Sequence, residues 1–433
     1  MTLPHPTFRP LIAVAAAFLA ALGILTIVNR TPAPSVPSAK SLETGPPART
    51  TDQRIAQLQA TIRAGLGGAG AYADLGSAYL QKVRETGDPT YYPKSEKLFD
   101  AALAREPASI PAITGLGTLA LARHQFRLGL SYGEQAHRVG PQTLQPYFVI
   151  VDAQVELGQY QRAEQTLQQL IDLRPTLASY ARVSYFRELH GDLPGAIQAM
   201  RLAVSSGGAT PENLAYVQTL LGNLEFDRGH VAVAAQDYRT AQLSFHQYVP
   251  AIAGLARTDA ATGHFQQAIG RYRQAVSRLP LPEYITGLGE TELAAKRTEQ
   301  AKQDLALISA EERLLQANGV NTDVDLALFE ANHGSPTRAV VLARRAWTEA
   351  PSVRSADALG WALTRAGHPS QGLHWARQAL MLGSIDPNFL YHAGIAAKGA
   401  GHLAEARQYL QRALSLNPRF SPLYAPLARK ALR

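Results

Sequence analysis

The chain has 433 residues, 42 basic and 34 acidic side chains, a net charge of +8 and no cysteine. The missing cysteine excludes a disulfide framework, a thiol nucleophile, a cysteine-ligated metal and a lipoprotein anchor. Only eight of the basic residues are lysine, and no long Lys/Arg run occurs. The excess charge therefore reads as a solvated basic surface spread over many helices, not as a nucleic-acid arm.

Residues 1–10 form a short polar tail. Leu11–Val28 follows as 18 uncharged residues, enough for a helix to cross a bilayer if little tilted. A cleaved signal peptide is the competing reading. Its apolar core runs only about 7–15 residues before a small-x-small site, and Pro37-Ser38-Ala39 is a poor site, so an uncleaved anchor is favoured. The short basic tail and the long C-terminal region place the repeats outside a cytoplasmic membrane as a single-pass protein, although the Lys/Arg count on the two sides is nearly tied. Residues 29–50 carry five prolines and read as an extended linker. Thr50 and Gln53 have capping-box spacing ahead of Ile55, Leu58 and Ile62, which predicts an N-capping helix within 51–68.

Gly65-Leu66-Gly67-Gly68-Ala69-Gly70 matches a dinucleotide fingerprint. That motif requires a strand before it, and here a helix precedes it, so a hinge between helices is the better reading.

From residue 69 the chain repeats itself. Pro107, Pro141 and Pro175 are 34 residues apart, as are Gly229 and Gly263, and Gly367 and Gly401. The clearest unit is Asp386–Pro418. Leu390, Ala393, Gly394 and Ala397 share one helix face. Gly399-Ala400-Gly401 breaks that helix, and Leu403, Ala406, Leu410, Ala413 and Leu414 line a second. Asn417-Pro418 stops it. Such a hairpin cannot bury its own apolar face and needs copies on either side. The pattern recurs as Leu116-Gly117 with Ala136, as Leu221-Gly222 with Ala234, Tyr238 and Ala241, as Ala268, Tyr272, Ala275 and Pro280, and as Leu359-Gly360 with Ala376 and Ala379. With Leu-Gly in the first helix and Ala, an aromatic, Ala and Pro in the second, the sequence resembles the tetratricopeptide repeat family over residues 69–418.

The resemblance implies an all-α, right-handed α-solenoid of about ten helix hairpins, preceded by the transmembrane helix and closed by a polar capping helix within 419–433. Two units depart from the pattern. The first has a turn about seven residues too long, around Arg84–Pro93 with Tyr91 and Tyr92. The seventh overruns at 306–320, where a kink is expected.

No catalytic motif appears, and the repeats leave no stretch for a catalytic domain of about 100 residues. Neither a cofactor nor a metal site is expected. His190, His230, His264, His333, His368 and His402 mark the turns, but equivalent turns lie two helix diameters apart, too far to share one ion.

The family lines its concave wall with fixed first-helix positions. Carried over, these are Phe148, Asp152, Tyr185, Glu188, Tyr216, Asn223 and Glu290 in an acidic, aromatic earlier half interrupted by Arg257. The later half carries Arg354, Trp361, Asn388, Tyr391 and Lys398, with Arg365 beside them. The resemblance implies a non-catalytic scaffold that binds an extended peptide or partner protein for envelope-complex assembly, its acidic end toward Arg354, Arg365 and Lys398 and Trp361 as apolar anchor. A polysaccharide-binding envelope protein is the alternative. Nucleic acid is disfavoured because acidic positions interrupt any basic path.

Overall fold

A computed structural model describes residues 50–207 and 210–433. The proposed membrane segment 11–28 and the linker up to residue 49 lie outside the described residues. Among the described helices, none is long and apolar enough to cross a membrane.

The described chain is helical, and no strand occurs in it. Thr50 caps the first helix, Thr51–Arg63, through the expected capping box: its hydroxyl accepts from the Gln53 backbone and the Gln53 side chain returns the bond. Ten antiparallel hairpins follow among the described residues. Hairpin 1 pairs Ala69–Thr86 with Tyr91–Leu103, and hairpin 2 pairs Ile110–Ala122 with Phe126–Val139. Hairpins 3 to 5 open with Leu144–Glu156, Leu177–Leu189 and Pro211–Asp227. Hairpins 6 and 7 open with Val249–Ala261 and Pro282–Ala294. Hairpins 8, 9 and 10 open with Asp323–His333, Val353–Arg365 and Pro387–Gly399, and Tyr424–Ala431 ends the stack. Several first helices start with proline at N1 or N2, as at Pro211, Pro282 and Pro387, where its missing N–H has no intrahelical partner to lose.

The small residues of the repeat are there for aromatic wedges. Phe99 is fully buried between the first helices of hairpins 1 and 2, and a Cβ on Gly76 or Gly115 would strike its ring. Tyr238 does the same between Gly222 and Gly254. Each wedge fills the space that its own hairpin and the next leave open, so the core is continuous from unit to unit.

Both irregular units gain helix. The surplus in hairpin 1 lengthens its first helix to 18 residues and leaves only 87–90 as turn, so Tyr91 and Tyr92 start a helix. The overrun at 306–320 forms an extra helix, Ile308–Ala317, with Ile308 and Leu315 buried.

The stack coils on itself, and successive coils touch. Arg123 Nε donates to Asn318 O at 3.0 Å, and the Asn321 amide donates back to Arg123 O at 2.9 Å. Val353 N–H donates to Tyr160 Oη at 2.8 Å, and the buried Asn417 Nδ2 donates to Phe226 O at 2.7 Å. These partners are separated by 191 to 195 residues, or about five and a half repeats of ~34 residues. One coil therefore lays its hairpin turns on the inter-hairpin turns of the next. The open concave groove expected from the repeat becomes a narrower, half-open space.

Candidate partner-binding cavity

Residues of hairpins 1, 2, 3, 5, 6 and 7, most of them on first helices, with Leu315 of the extra helix, line a cavity of about 880 Å³. Asp152, Tyr216 and Asn223, three of the expected groove residues, line it together with Arg257. Tyr216 is 47% exposed, and it belongs to the cavity wall. Burial pushes its phenol above the ordinary value, with Arg182 acting against that shift and Asp152 adding to it.

Most charges of this wall are already partnered. Asp152 accepts from Arg182 Nε and Nη2 at 2.8 and 2.6 Å, and the same guanidinium lies 4.6 Å above Phe148. Arg257 is bound to Asp227 at 2.7 Å and stacks over Phe226. Tyr92, singled out in the first unit, completes the wall with Arg84, Glu212, Tyr248, Tyr272 and Tyr284, which the sequence reading did not assign to it. Arg84 and Tyr92 belong to the overlong first unit, which the repeat pattern had marked as irregular. Tyr272 is the aromatic of its repeat and reads as packing, while nothing periodic marks Glu212, Tyr248 and Tyr284.

A second, smaller cleft of about 240 Å³ lies between coils and holds Tyr185, Glu188, Asp227, Arg354 and Asp386. Tyr185 Oη donates to Glu156 at 3.3 Å, and Arg354 approaches the same carboxylate at 3.9 Å. One cation of the later half, Arg354, thus faces a carboxylate of the earlier half across the coil. Burial, reinforced by Asp227 and Asp386, pushes the Glu188 carboxyl up to about 8, while Arg257 and Arg354 oppose it. Asp386 is pushed up to about 6 by burial and Asp227. A carboxyl raised in the folded state stabilises the fold fully below its unfolded value of about 4.3, and that contribution is lost as pH rises through the folded value. Thermal stability is therefore expected to fall between about pH 5 and 9. Glu188→Gln should flatten that decline in a melting series and raise the midpoint at the alkaline end. An unchanged slope would remove Glu188 as its source.

The later groove positions are committed to the fold. Trp361, expected as an anchor facing a ligand, is 2% exposed and donates from Nε1 to Asn332 Oδ1 at 2.8 Å. Its ring stacks on His392 at 4.3 Å, and His392 is itself held by the buried Asp357 at 2.9 Å. Tyr391 is 4% exposed and packs among Trp361, Phe420 and Tyr424. Arg365 Nε donates to Ala331 O at 3.0 Å, and Lys398 Nζ to Ala431 O at 2.7 Å. Asn388 sits half-buried in the first turn of its helix, its backbone N–H capped by Asp386. Glu290 receives His333 and Tyr424 Oη at 3.1 and 2.9 Å.

Four of the turn histidines, His230, His264, His368 and His402, stand at the N-cap position of second helices, without a side-chain capping bond. Among the described residues, no group of three or more His, Asp or Glu is placed to hold a metal. Gly65–Gly70 joins two helices with no strand before it.

Family models of the tetratricopeptide repeat match residues 148–213 and 387–420. No curated protein matches the chain. Among solved structures, the chain is similar to the APC/C hetero-tetramer Cut9-Hcn1, at 16% identity over 89% of this chain and 67% of that one, with a TM-score of 0.37. It is similar to the human IFIT1 dimer with PPP-AAAA at 14% identity, over 84% of this chain and 78% of that one, with a TM-score of 0.37. A tetratricopeptide repeat protein from Parabacteroides merdae matches at 16% identity over 59% of this chain and 97% of its own length, with a TM-score of 0.33. The chain thus carries tetratricopeptide repeats, at residues 148–213 and 387–420.

Proposed function

We propose that the protein is a non-catalytic interaction scaffold, tethered to a membrane through residues 11–28, that holds an extended segment of a partner protein inside its coil during assembly of an envelope complex. The observation that carries this reading is Tyr216, a large aromatic left 47% exposed in the wall of a cavity of about 880 Å³. Exposed aromatics carry much of the energy of protein interfaces. A space of that size falls within the range of about 300–1,000 Å³ of ligand clefts and is far too small for a folded domain. An extended chain fits where a domain does not.

The test places a photo-crosslinking amino acid at Tyr216 in the full chain, and a second at Val341, which is exposed and outside the cavity wall. Crosslinks to one partner protein are expected from position 216 and not from 341. The reverse pattern would move the interface to the outer surface, and capture of polysaccharide alone would favour the alternative reading. Protease added to intact cells or spheroplasts is expected to cut within 29–50 and release the repeats. Cleavage only after lysis would reverse the proposed orientation.

A further inference from the structure

We infer that the segment held in the cavity is basic and lays an arginine on Tyr216 against Glu212, an inference that rests on the partner-segment reading above. The wall already shows how it binds an arginine. Phe148 and Asp152 lie one helical turn apart on the first helix of hairpin 3. Arg182 donates to both oxygens of Asp152 at 2.8 and 2.6 Å, and its guanidinium lies 4.6 Å above the Phe148 ring. Glu212 and Tyr216 repeat that pair, in the reverse order, on the first helix of hairpin 5. There the arginine is missing: among the described residues, no cation lies over Tyr216 and none is ion-paired with Glu212.

Glu212 is 3% exposed, and its bonds come from neutral groups, Gln81 Nε2 at 3.2 Å and the Tyr248 hydroxyl. A buried carboxylate is held best with a countercharge beside it. Tyr216, four residues on, leaves its ring open to the same cavity. A guanidinium serves both, stacking on the ring and donating to the carboxylate in a fixed fork.

The charge of the surrounding walls agrees. Two arginines line the cavity against three carboxylates, Asp152, Glu212 and Glu283. One arginine lines the cleft against Glu188, Asp227 and Asp386. The inner walls are thus acidic in a chain whose net charge is +8. Glu283 has no ion pair among the described residues, and desolvation, reinforced by Asp325, pushes its carboxyl above the ordinary value against Tyr284 and Arg354. A cation bound nearby offsets that cost, whereas an acidic segment adds to it.

The probe is a peptide of four Arg-Gly-Ser repeats, blocked at both ends and carrying a neutral fluorophore, titrated into the full chain and read by anisotropy. Saturable binding is expected. The citrulline counterpart, which keeps the shape and loses the charge, should bind about tenfold more weakly or worse. Glu212→Gln and Tyr216→Ala should each weaken the arginine peptide about tenfold. Arg84→Gln removes a cation from the same wall and should tighten binding about two- to threefold, a gain that damage to the fold does not mimic. Arg407→Gln removes an equal charge at an exposed position of the last hairpin and should change little. Circular dichroism confirms that each variant is folded. If the citrulline peptide or a glutamate counterpart binds through Tyr216 as tightly as the arginine peptide, the arginine inference falls and the partner-segment reading stands. If the arginine peptide does not bind, the inference falls, and if a neutral cello-oligosaccharide binds where no peptide does, both fall. Arginine-peptide binding that ignores Glu212→Gln and Tyr216→Ala also overturns the inference.

Discussion

Trp361→Ala is expected to destabilise the fold by about 3–5 kcal/mol, the range for emptying a large aromatic from a core. The ring is 2% exposed, stacked on His392 at 4.3 Å and tilted against Tyr391 at 5.8 Å. Its N–H holds Asn332 in the preceding hairpin, so one side chain ties hairpins 8, 9 and 10 together. Removing it leaves a cavity and strands the Asn332 carbonyl. Trp361→Phe keeps most of the packing and should lose only about 1–2 kcal/mol. Urea denaturation followed by circular dichroism measures both. A repeat stack can unfold in parts, so hydrogen exchange should show the loss concentrated in residues 323–416. Had Trp361 been a ligand anchor, alanine would have reduced affinity with little effect on unfolding. A Trp361→Ala protein that melts like the wild type would restore that role.

The hairpins were legible because everything that makes them is local. A glycine, a proline and an aromatic recur every 34 residues, and each has its partner within its own unit or the next, as Phe99 has Gly76 and Gly115. The inner-face positions were legible for the same reason, and Asp152, Tyr216 and Asn223 do meet in one cavity. Which of them stay available was not legible. That depends on contacts such as Arg354 with Glu156 and Tyr185, which join helices of different coils. Trp361 has an inner-face position by its repeat phase, but hairpins 8 and 10 close over it through Asn332 and His392. The coil contacts themselves use backbone carbonyls and a few unrepeated side chains, Arg123, Tyr160 and Asn417. Such contacts leave no period to detect.

Gly158→Ala is expected to show how much that closure contributes. Gly158 has φ +69°, and a Cβ there would run into Pro351 O of the next coil. Gly263 is the matched control: its φ is +82°, yet a Cβ there would meet nothing within 4 Å. Both substitutions carry the left-handed backbone cost of about 1–2 kcal/mol. Only Gly158→Ala also forces two coils apart, adding about 1–3 kcal/mol of overpacking. Pairing it with Gly191→Ala, which strikes Gly383 O in the same way, wedges two successive turns and should strain the nearby Tyr160 to Val353 bond. Small-angle scattering should then show a larger radius of gyration for the double variant and an unchanged one for Gly263→Ala. Equal melting shifts and equal radii for Gly158→Ala and Gly263→Ala would mean that the coils touch without holding each other, and that an open groove is the form a partner meets.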